Sequence, residues 1–469
     1  MKDLTEGSVT RHLVNMAAFM AVSMVVQTLY LLADMYWVGR LGKEAIAALG
    51  VAGNLQIIVL ALTQALGVGT NTLISHAVGQ KDQPRAELVF NQSCTMSILI
   101  GVVLGVCGFL VRNPYCGLLS ADATTAELAR SYLLWFIPSL SLQFPLVSLG
   151  SALRATGVIK PAVGFPVLSV ALNIVLAPLL IFGTEPWPMF DPIRRMIAAF
   201  VSIPRLGVAG AGLATFISIL IAEILMVIYF QKKYHYLRFR LPLLSPQIAT
   251  WKRMLGIGVP AGAEFVLLFA YIAIVYVIIR GFGPAAQAGF GVGARVMQAL
   301  FLPVVALSFA VAPVVGQNFG GRHADRVRDS VYAALGIASA MMLILAIITY
   351  LIPTTFIRGF SSDPHVIAFG GDYLRIVSFN FVAAGIVFTA SSIFQGIGNT
   401  LPPLLSSMTR LGLFVLPVLL ISRMPGFQIR QVWYLSVSSQ VLQACINLWL
   451  LRRELRKKLV FADVTAEAA

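Results

Sequence analysis

The residues best suited to do chemistry are two carboxylic acids that lie inside long apolar stretches, Asp34 and Glu264. Ionisable side chains are costly inside a bilayer, and they usually mark an ion pathway or a substrate site. Burial disfavours the charged form of a carboxyl group, so such an acid is suited to bind and release a proton near neutral pH. The two acids therefore predict proton or cation binding within a membrane, and we expect no catalytic residue.

Asp34 lies near the end of the first apolar run and shares a helical face with other polar residues. Ser23, Gln27, Tyr30 and Asp34 follow each other at spacings of four, three and four residues, which places them on one side of a helix. Such a polar stripe faces protein or water rather than lipid. We expect Asp34 to couple an ion, with Gln27 and Tyr30 as substrate or ion contacts. The alternative is a structural, hydrogen-bonded acid.

Polar residues in the fifth and sixth apolar runs could complete this site. Asn173 is expected to hydrogen-bond Asp34 and to share its ion-coupling role, although a buried amide also serves simply to join two helices. Thr215 is a weaker candidate of the same kind. Glu223, inside the sixth run, is expected to form a structural pair with a lysine near the membrane interface.

A second group of candidates lies in the second half of the chain. Glu264 and Tyr271 are seven residues apart and share a helical face. A buried carboxylate here would attract an organic cation, and the alternative is a neutral structural glutamate. Arg295 and Arg410 also lie inside apolar runs. Because an unpaired buried charge is expensive, Arg410 is expected to have a partner, for which Glu264 is the candidate. Either arginine could instead contact substrate.

The elements that position these residues are membrane-spanning helices. The chain has 469 residues, of which 58% are hydrophobic and 11% are charged, with a mean hydropathy of +0.86. Soluble domains carry about a quarter charged residues, so we expect a polytopic membrane protein. The net charge of +15 is explained by basic loops that orient the chain in the bilayer, rather than by nucleic-acid binding.

The sequence contains twelve apolar runs long enough to span a bilayer, which needs about 20 residues per helix. The predicted fold is all-α, with twelve transmembrane helices in two six-helix lobes. The runs are Leu13–Val38, Ala45–Val78, Leu88–Val111, Tyr132–Leu153, Pro161–Phe182, Val208–Phe230, Leu255–Ile279, Ala288–Val315, Val331–Ile352, Leu374–Phe394, Pro403–Ile421 and Val432–Leu451.

An internal repeat supports the two lobes. Gly42–Val51 (GKEAIAALGV) resembles Gly283–Val292 (GPAAQAGFGV), which begins 241 residues later, and Leu153–Pro161 resembles Phe394–Pro402 at the same offset. An even number of spans per repeat lets both copies enter the membrane from the same side. Paired bundles of this kind are common in transporters, whose substrate site lies between the bundles near the middle of the membrane.

The predicted boundaries follow from a basic segment between the lobes. Residues 1–231 form the first lobe, 232–253 a basic connecting loop, and 254–469 the second lobe with a short basic tail. Lys and Arg are more numerous in the segments that lie on the same side as the N-terminus. This bias predicts that both termini are cytoplasmic in a multi-pass protein of the inner (plasma) membrane.

The ordered motifs resemble the multidrug and toxic compound extrusion (MATE) family over nearly the whole chain. This resemblance implies a cation-coupled antiporter that exports drugs or other toxic organic compounds through two V-shaped lobes. The motifs that carry it are Asp34 with Gly39, Leu41 and Gly42, then Ala77–Gln80, Val314–Asn318, Leu153–Pro161, Asn173–Gly183, Gly207–Thr215 and Gly258–Glu264.

Two departures from the family pattern bear on the coupling mechanism. The proton-coupled branch usually has an aspartate four residues after the asparagine of the fifth span, where this chain has Ala177. Partial replacement of that aspartate is the alternative role for Glu223, beside the favoured structural pair. The family often has a proline in the first span, and Met16–Met20 contains none.

The eighth and tenth predicted spans contain no Asp or Glu, which disfavours a multi-carboxylate sodium site. We expect the coupling ion to be a proton rather than sodium, with no cofactor and no bound metal.

Three functions are compatible with these patterns. The favoured one is a monomeric antiporter for organic cations or other xenobiotics, which works by alternating access. The second is a flippase for a lipid-linked or polyisoprenoid intermediate, whose phosphate would need basic residues such as Arg295 and Arg410. The third, an intramembrane enzyme, lacks a recognisable catalytic motif. The expected partners are small-molecule substrates and the lipid bilayer.

Overall fold

The computed structural model describes residues 1–183 and 204–460, excluding the side chains of Tyr30 and Leu31. Part of the predicted basic tail, 461–469, therefore lies outside the description. The described chain forms helices that we number α1 to α14. They are α1 Val9–Gly39, α2 Lys43–Gly79, α3 Gln83–Leu119, α4 Ala123–Ala155, α5 Ile159–Phe182, α6 Val208–Lys232, α7 Ile248–Ile279, α8 Pro284–Gly320, α9 Ala324–Leu351, α10 Pro353–Arg358, α11 Pro364–Val377, α12 Asn380–Ile397, α13 Leu401–Ile421 and α14 Ile429–Lys458.

Eleven of the described helices are long and apolar enough to cross a membrane. The twelfth crossing is α14, which has 30 residues but is less apolar, because it carries polar residues on its buried side. Those residues are Ser436, Ser439, Gln440, Gln443 and Asn447. The all-α fold with twelve crossings is thus confirmed, and its last helix is the most polar of them.

The tenth predicted span differs in detail from the structure. We predicted one helix over Leu374–Phe394, but the chain forms two helices, α11 and α12, separated by a turn at Ser378 and Phe379. The Ser378 hydroxyl donates to the carbonyl of Arg375 at 2.7 Å, a local bond that competes with regular helical pairing. The prediction of a continuous span was therefore wrong.

The internal repeat is visible in the packing of the helices. In the first half α4 packs against α2, α3 and α6, and α5 packs against α6. In the second half α12 packs against α8, α9 and α14, and α13 packs against α14. Each pairing in one half has its equivalent in the other, so we call α1–α6 the N-lobe and α7–α14 the C-lobe.

The first helix of each lobe also packs against the second helix of the other lobe, α1 against α8 and α7 against α2. On α1, Leu13 and Met16 belong to the same buried cluster as Val311 and Val314 of α8. These residues lie toward the end of the bundle where α1 begins and α14 ends, which we call the terminal face. The lobes are therefore joined through the halves of their helices that are nearer to this face.

Glycines allow a close approach of the two lobes there. A Cβ atom added at Gly258 of α7 would collide with the carbonyl oxygen of Ala65 on α2, and one at Gly69 would collide with the carbonyl of Met254. In the other half of α2, a Cβ added at Gly50 or Gly53 would meet no described atom within 4 Å. Small residues let helix backbones touch inside membranes, and here they do so near the terminal face.

The first seven residues lie across the joint between the lobes, and we call them the N-terminal strap. Lys2 donates its backbone N–H to the carbonyl of Thr156 in the N-lobe at 2.9 Å. Leu4 donates its N–H to the Gln317 Oε1 atom of the C-lobe at 2.9 Å, and Gln317 Nε2 donates to the carbonyl of Ala155 at 2.7 Å. Gln317, which is fully buried, therefore connects both lobes and the strap.

Replacement of this residue, Gln317→Leu, is expected to destabilise the protein by about 1–3 kcal/mol, because the Leu4 N–H loses its buried acceptor. The readout is the midpoint of thermal unfolding in detergent, which should fall. Gln298→Leu is the matched control, since Gln298 is exposed on the same helix. Equal midpoints for the two variants would contradict a bridging role for Gln317.

The segment between the lobes is docked on the N-lobe rather than free. The Asn91 side chain donates to the carbonyl of Arg238 at 2.9 Å and accepts from the N–H of Arg240 at 3.0 Å. Gln92 Nε2 donates to the carbonyl of Leu243 at 2.6 Å. Arg240 Nε also pairs with the buried Glu87 Oε2 at 2.8 Å. Side chains of α3 thus fix the backbone of the connecting loop.

The double variant Asn91→Ala/Gln92→Ala is expected to release this loop, because both side chains bind its backbone. Limited trypsin digestion should then cleave within residues 232–253 at least about tenfold faster, since cleavage follows the population of the locally open form. Gln143→Ala is the control, because it removes a side-chain bond to Gln56 elsewhere in the lobe. Unchanged cleavage of the double variant would show that the loop is held by other contacts.

Candidate functional site

Asp34 is a buried acid of the N-lobe, with a 4% exposed side chain. Its Oδ1 atom has no hydrogen-bond partner in the part of the chain that the structure describes. One turn further along α1, Trp37 joins the buried core of the N-lobe, where its ring lies 6.4 Å from that of Phe182 on α5. The packing of the end of α1 therefore holds the acid inside the lobe, as the sequence predicted.

Asn173 and Thr215 form the polar contact between α5 and α6. Asn173 Nδ2 donates to Thr215 Oγ1 at 3.1 Å, and the Thr215 hydroxyl donates to the carbonyl of Ala211 at 3.2 Å. The Asn173 Oδ1 atom has no partner among the described residues. The structure therefore joins the two candidates to each other, a contact that was not predicted, while the hydrogen bond from Asn173 to Asp34 stays a prediction.

The predicted polar stripe on α1 is only partly buried. Ser23 is 6% exposed, like Asp34 on the protein side, but Gln27 is exposed. The side chain of Tyr30 lies outside the described residues. At 100° per residue the four positions span only about 60° of the helix circumference. An exposed Gln27 agrees with a stripe that faces protein or water, and its orientation away from lipid stays a prediction.

Two other N-lobe positions bear on the acid. Ala177, where the family usually has an aspartate, is fully buried in the same apolar core as Trp37. Apolar side chains therefore pack around this position. Glu223 is partly buried, and its Oε2 atom has no hydrogen-bond partner in the described chain. No ion pair of the described residues joins Glu223 to a lysine, so the expected structural pair is not seen there.

The C-lobe holds its acid in a group of polar residues that come from four helices, which we call the lower tier. Glu264 of α7 accepts from the Ser391 hydroxyl of α12 at 2.6 Å and from the Ser407 hydroxyl of α13 at 3.4 Å. Gln443 of α14 donates in turn to Ser407 Oγ at 3.0 Å. The carboxyl group is therefore positioned by two hydroxyl donors, which can also support a negative charge.

A second group of C-lobe residues comes from the same four helices and lies further from the terminal face; we call it the upper tier. The Tyr271 hydroxyl of α7 hydrogen-bonds the Ser436 hydroxyl of α14 at 2.7 Å. Asn380 of α12 donates to the same Ser436 oxygen at 3.5 Å. The guanidinium carbon of Arg410 on α13 lies 4.6 Å from the centre of the Tyr271 ring. Tyr271 and Arg410 thus form a cation–π pair.

Two expectations about the arginines were wrong. Arg410 was expected to pair with Glu264, but its partner is Tyr271, because Glu264 lies two helical turns away and is bonded by serines. Arg295 was expected inside the C-lobe, yet its side chain is exposed on α8. The buried positions of the neighbouring turns of α8 are small or apolar, among them Gly289, Gly293 and Val296.

The hydroxyl and amide residues around Glu264 were not predicted. Ser391, Ser407 and Gln443 belong to no motif, and serine is common in membrane helices. The available signal was the repeated polar spacing on α14, where Ser436, Ser439, Gln443 and Asn447 return to one helical face. A span with such a face must point it at protein.

Equivalent helix pairings in the two lobes and, among the described residues, eleven helices long and apolar enough to cross a membrane are the architecture of a multi-pass membrane protein. The MatE family model matches residues 20–179 and 260–421, one segment in each lobe. The chain belongs to the MatE family, which confirms the resemblance seen in the motifs.

Curated relatives match along most of the chain. A FAD transporter of Shewanella oneidensis is 24% identical over 89% of this chain and 90% of its own length. A probable multidrug resistance protein of Bacillus subtilis, YpnP, is 28% identical over 84% and 85% of the two chains. The multidrug export protein MepA of Staphylococcus aureus (strain MRSA252) is 25% identical over 93% and 92%. The named activities of these relatives thus differ.

Solved structures share the fold. A MOP superfamily transporter from Pyrococcus furiosus, described for the reverse polarity of its binding pocket, superposes with a TM-score of 0.86 at 24% identity, covering 97% of this chain and 98% of that one. The outward-facing conformation of a MATE family multidrug resistance transporter gives the same score, identity and coverage. At this identity the likeness establishes the fold alone.

Proposed function

We propose that the protein is a secondary antiporter that exports organic compounds, including drug-like cations, in exchange for protons. The observation that carries the proposal is the buried Asp34 carboxyl group, one of whose oxygens has no hydrogen-bond partner among the described residues, inside the N-lobe of a MatE fold. Relatives named as multidrug exporters support the substrate class. The substrates are small molecules, no cofactor takes part, and the working unit is a monomer in the inner membrane.

The arrangement of basic residues supports an orientation for this cycle. Lys and Arg of the connecting loop and of α14 lie at the terminal face, which the positive-inside rule assigns to the cytoplasm. With that orientation, lobes that touch near the terminal face correspond to a state closed toward the cytoplasm and open outward. Alternating access then requires the contacts at Gly69 and Gly258 to separate.

Protonation of Asp34 supplies the coupling in this proposal. In the outward-open state, a proton from outside binds Asp34 and favours release of the substrate. After the lobes rock, Asp34 releases its proton to the cytoplasm and the substrate site is loaded again. Because residue 177 is an alanine rather than an aspartate, Asp34 lacks that neighbouring carboxyl group and suits the binding of a single proton. This supports a proton rather than sodium as the coupling ion.

Expression of the protein in a bacterial strain that lacks its own drug exporters tests this function. We expect lower steady-state accumulation of ethidium than in cells with an empty vector. A protonophore should remove the difference, because it dissipates the proton gradient that drives export. Accumulation equal to that of the empty-vector control, for ethidium and for a panel of other organic cations, would contradict the proposed function.

A second candidate function is the flipping of a lipid-linked intermediate. The observation that favours it is the guanidinium of Arg410 within the C-lobe, since a phosphate headgroup needs a positive partner. Transfer of a fluorescent phospholipid between leaflets of proteoliposomes separates the two functions. The antiporter proposal expects no acceleration of that transfer over protein-free liposomes.

A further inference from the structure

Arg410 is a charged residue that the proposed coupling site does not use. It lies on α13 in the upper tier, its guanidinium against the Tyr271 ring, and its buried Nε atom has no hydrogen-bond partner in the described chain. Arginine stays protonated inside proteins, so this position carries a full positive charge. A charge in the interior of a membrane domain requires a counter-charge or a polar environment.

The protein supplies little negative charge to meet it. The helices α8, α12 and α13 contain no Asp or Glu. Glu264 lies seven residues before Tyr271 on α7, which is about 10 Å along the helix axis, and accepts hydrogen bonds from Ser391 and Ser407. Asp372 of α11 pairs instead with Arg430. Tyr271 offers Arg410 its π face and a side-chain hydrogen bond, but the neutral phenol supplies no full negative charge.

Other polar atoms of the same interior also lack partners within the described residues. They include the Ser406 hydroxyl one turn before Arg410, the Asn380 Oδ1 atom, and both side-chain polar atoms of Asn447. Buried polar groups are nearly always bonded to protein, water or a ligand. Arg410 and Tyr271 are themselves only partly buried. A guanidinium beside lipid would be costly, so the open space next to this pair is polar.

We propose that Arg410, set against Tyr271 and Ser436, binds the anionic group of a transported organic compound, a carboxylate or a phosphate. The guanidinium presents paired N–H donors that match the two oxygens of such a group. The inference rests on the proposed transport function and extends its substrate class from cations to zwitterions and organic anions. An anion would supply the counter-charge that the lobe lacks at this position.

The test uses two dyes that differ by one methyl ester, rhodamine 110 with a free carboxylate and rhodamine 123 with that group esterified. Binding to purified protein in detergent is measured by fluorescence anisotropy. We expect the wild-type protein to prefer the acid over the ester. Arg410→Gln should weaken binding of rhodamine 110 at least about tenfold, because a charge-assisted pair is lost, and should leave rhodamine 123 within about twofold.

Two further variants keep the result interpretable. Arg410→Lys retains the charge but not the planar fork, and it should show an intermediate preference for the acid. Arg375→Gln removes another arginine that lies over a tyrosine ring in the same lobe, 5.8 Å from Tyr350, and is exposed. It should bind both dyes as the wild type does. If Arg410→Gln binds neither dye, while Arg410→Lys binds both dyes without a preference for the acid, the role of Arg410 is structural and the inference is wrong.

A wild-type protein without preference for rhodamine 110 over rhodamine 123 would overturn the inference. Ethidium export in cells is measured separately, so failure of this anion site and failure of the proposed function give different results. Competition distinguishes two sources of the anion. Displacement of rhodamine 110 by benzoate supports a soluble organic anion, whereas displacement by short-chain phosphatidylglycerol alone supports the same site with a lipid headgroup as its ligand.

Discussion

Cells that produce Asp34→Asn are expected to export ethidium at least about tenfold more slowly than cells that produce the wild-type protein, because an amide cannot bind and release the coupling proton. Without that proton the gradient favours neither the outward-open nor the inward-open state, so it cannot drive the transport cycle. The substitution keeps the size and shape of the side chain. Asp34 is 4% exposed and has an oxygen without a partner among the described residues, so the amide fits without disturbing the core.

The control for this prediction is Asp325→Asn, which makes the same chemical change at a side chain that is 94% exposed. It should export ethidium like the wild type. Membrane levels of all three proteins are compared by immunoblot. Wild-type efflux by Asp34→Asn at a normal membrane level would show that the coupling ion binds elsewhere, and Glu264 would be the first residue to examine.

Glu264→Gln is expected to weaken binding of organic cations such as ethidium at least about tenfold, because the variant removes the negative charge that attracts them in a medium of low dielectric constant. Ser391 and Ser407 donate to different oxygens of Glu264. In the variant one serine can still donate to the amide oxygen, and the other can rotate its hydroxyl to accept from the amide N–H, so the lower tier should keep its geometry. The measurement is ethidium anisotropy with purified protein at several pH values.

Glu127→Gln, at an exposed position of α4, is the matched control and should bind ethidium normally. The same preparation of Glu264→Gln should retain exchange driven by a proton gradient when the dye is supplied at saturating concentration. If that exchange is lost while ethidium affinity is unchanged, the roles of the two acids are reversed, and Glu264 rather than Asp34 binds the coupling ion.

The sequence predicted those features of the site that depend on the cost of polar groups in a membrane. Asp34 had to be buried in protein, and packing around Trp37 achieves this. Asn173 and Thr215 were each selected as interior polar residues, and the structure joins them by a hydrogen bond. The repeat between the halves also survives as equivalent helix pairings, because motifs at one offset imply one shared packing scheme.

Other features depend on tertiary contacts that leave no mark in a single sequence. Arg295 and Arg410 look alike in apolar runs, yet one is exposed on α8 and the other lies against Tyr271. The rotation of each helix decides this, and apolar residues on both faces of a membrane helix hide that rotation. The docking of the connecting loop likewise depends on Asn91 and Gln92, whose side chains read as ordinary polar residues at a helix start.

The joint near the terminal face connects the fold to the proposed cycle. The glycine contacts between α2 and α7 involve backbone atoms, so the lobes can separate there without moving an interlocked side chain. Water can replace the hydrogen bonds of Gln317. The N-terminal strap adds bonds that exist only while the lobes are together. These contacts therefore stabilise the present state by a modest amount, as an exchange between two conformations requires.

Exchange in proteoliposomes tests the central claim most directly. Wild-type protein and Asp34→Asn are reconstituted side by side, and ethidium movement is followed under either a proton gradient or a sodium gradient. The account predicts that the proton gradient alone drives ethidium transport by the wild type, and that Asp34→Asn behaves like protein-free liposomes under both gradients. Transport driven only by sodium, or by protons equally well in Asp34→Asn, would contradict proton coupling at Asp34.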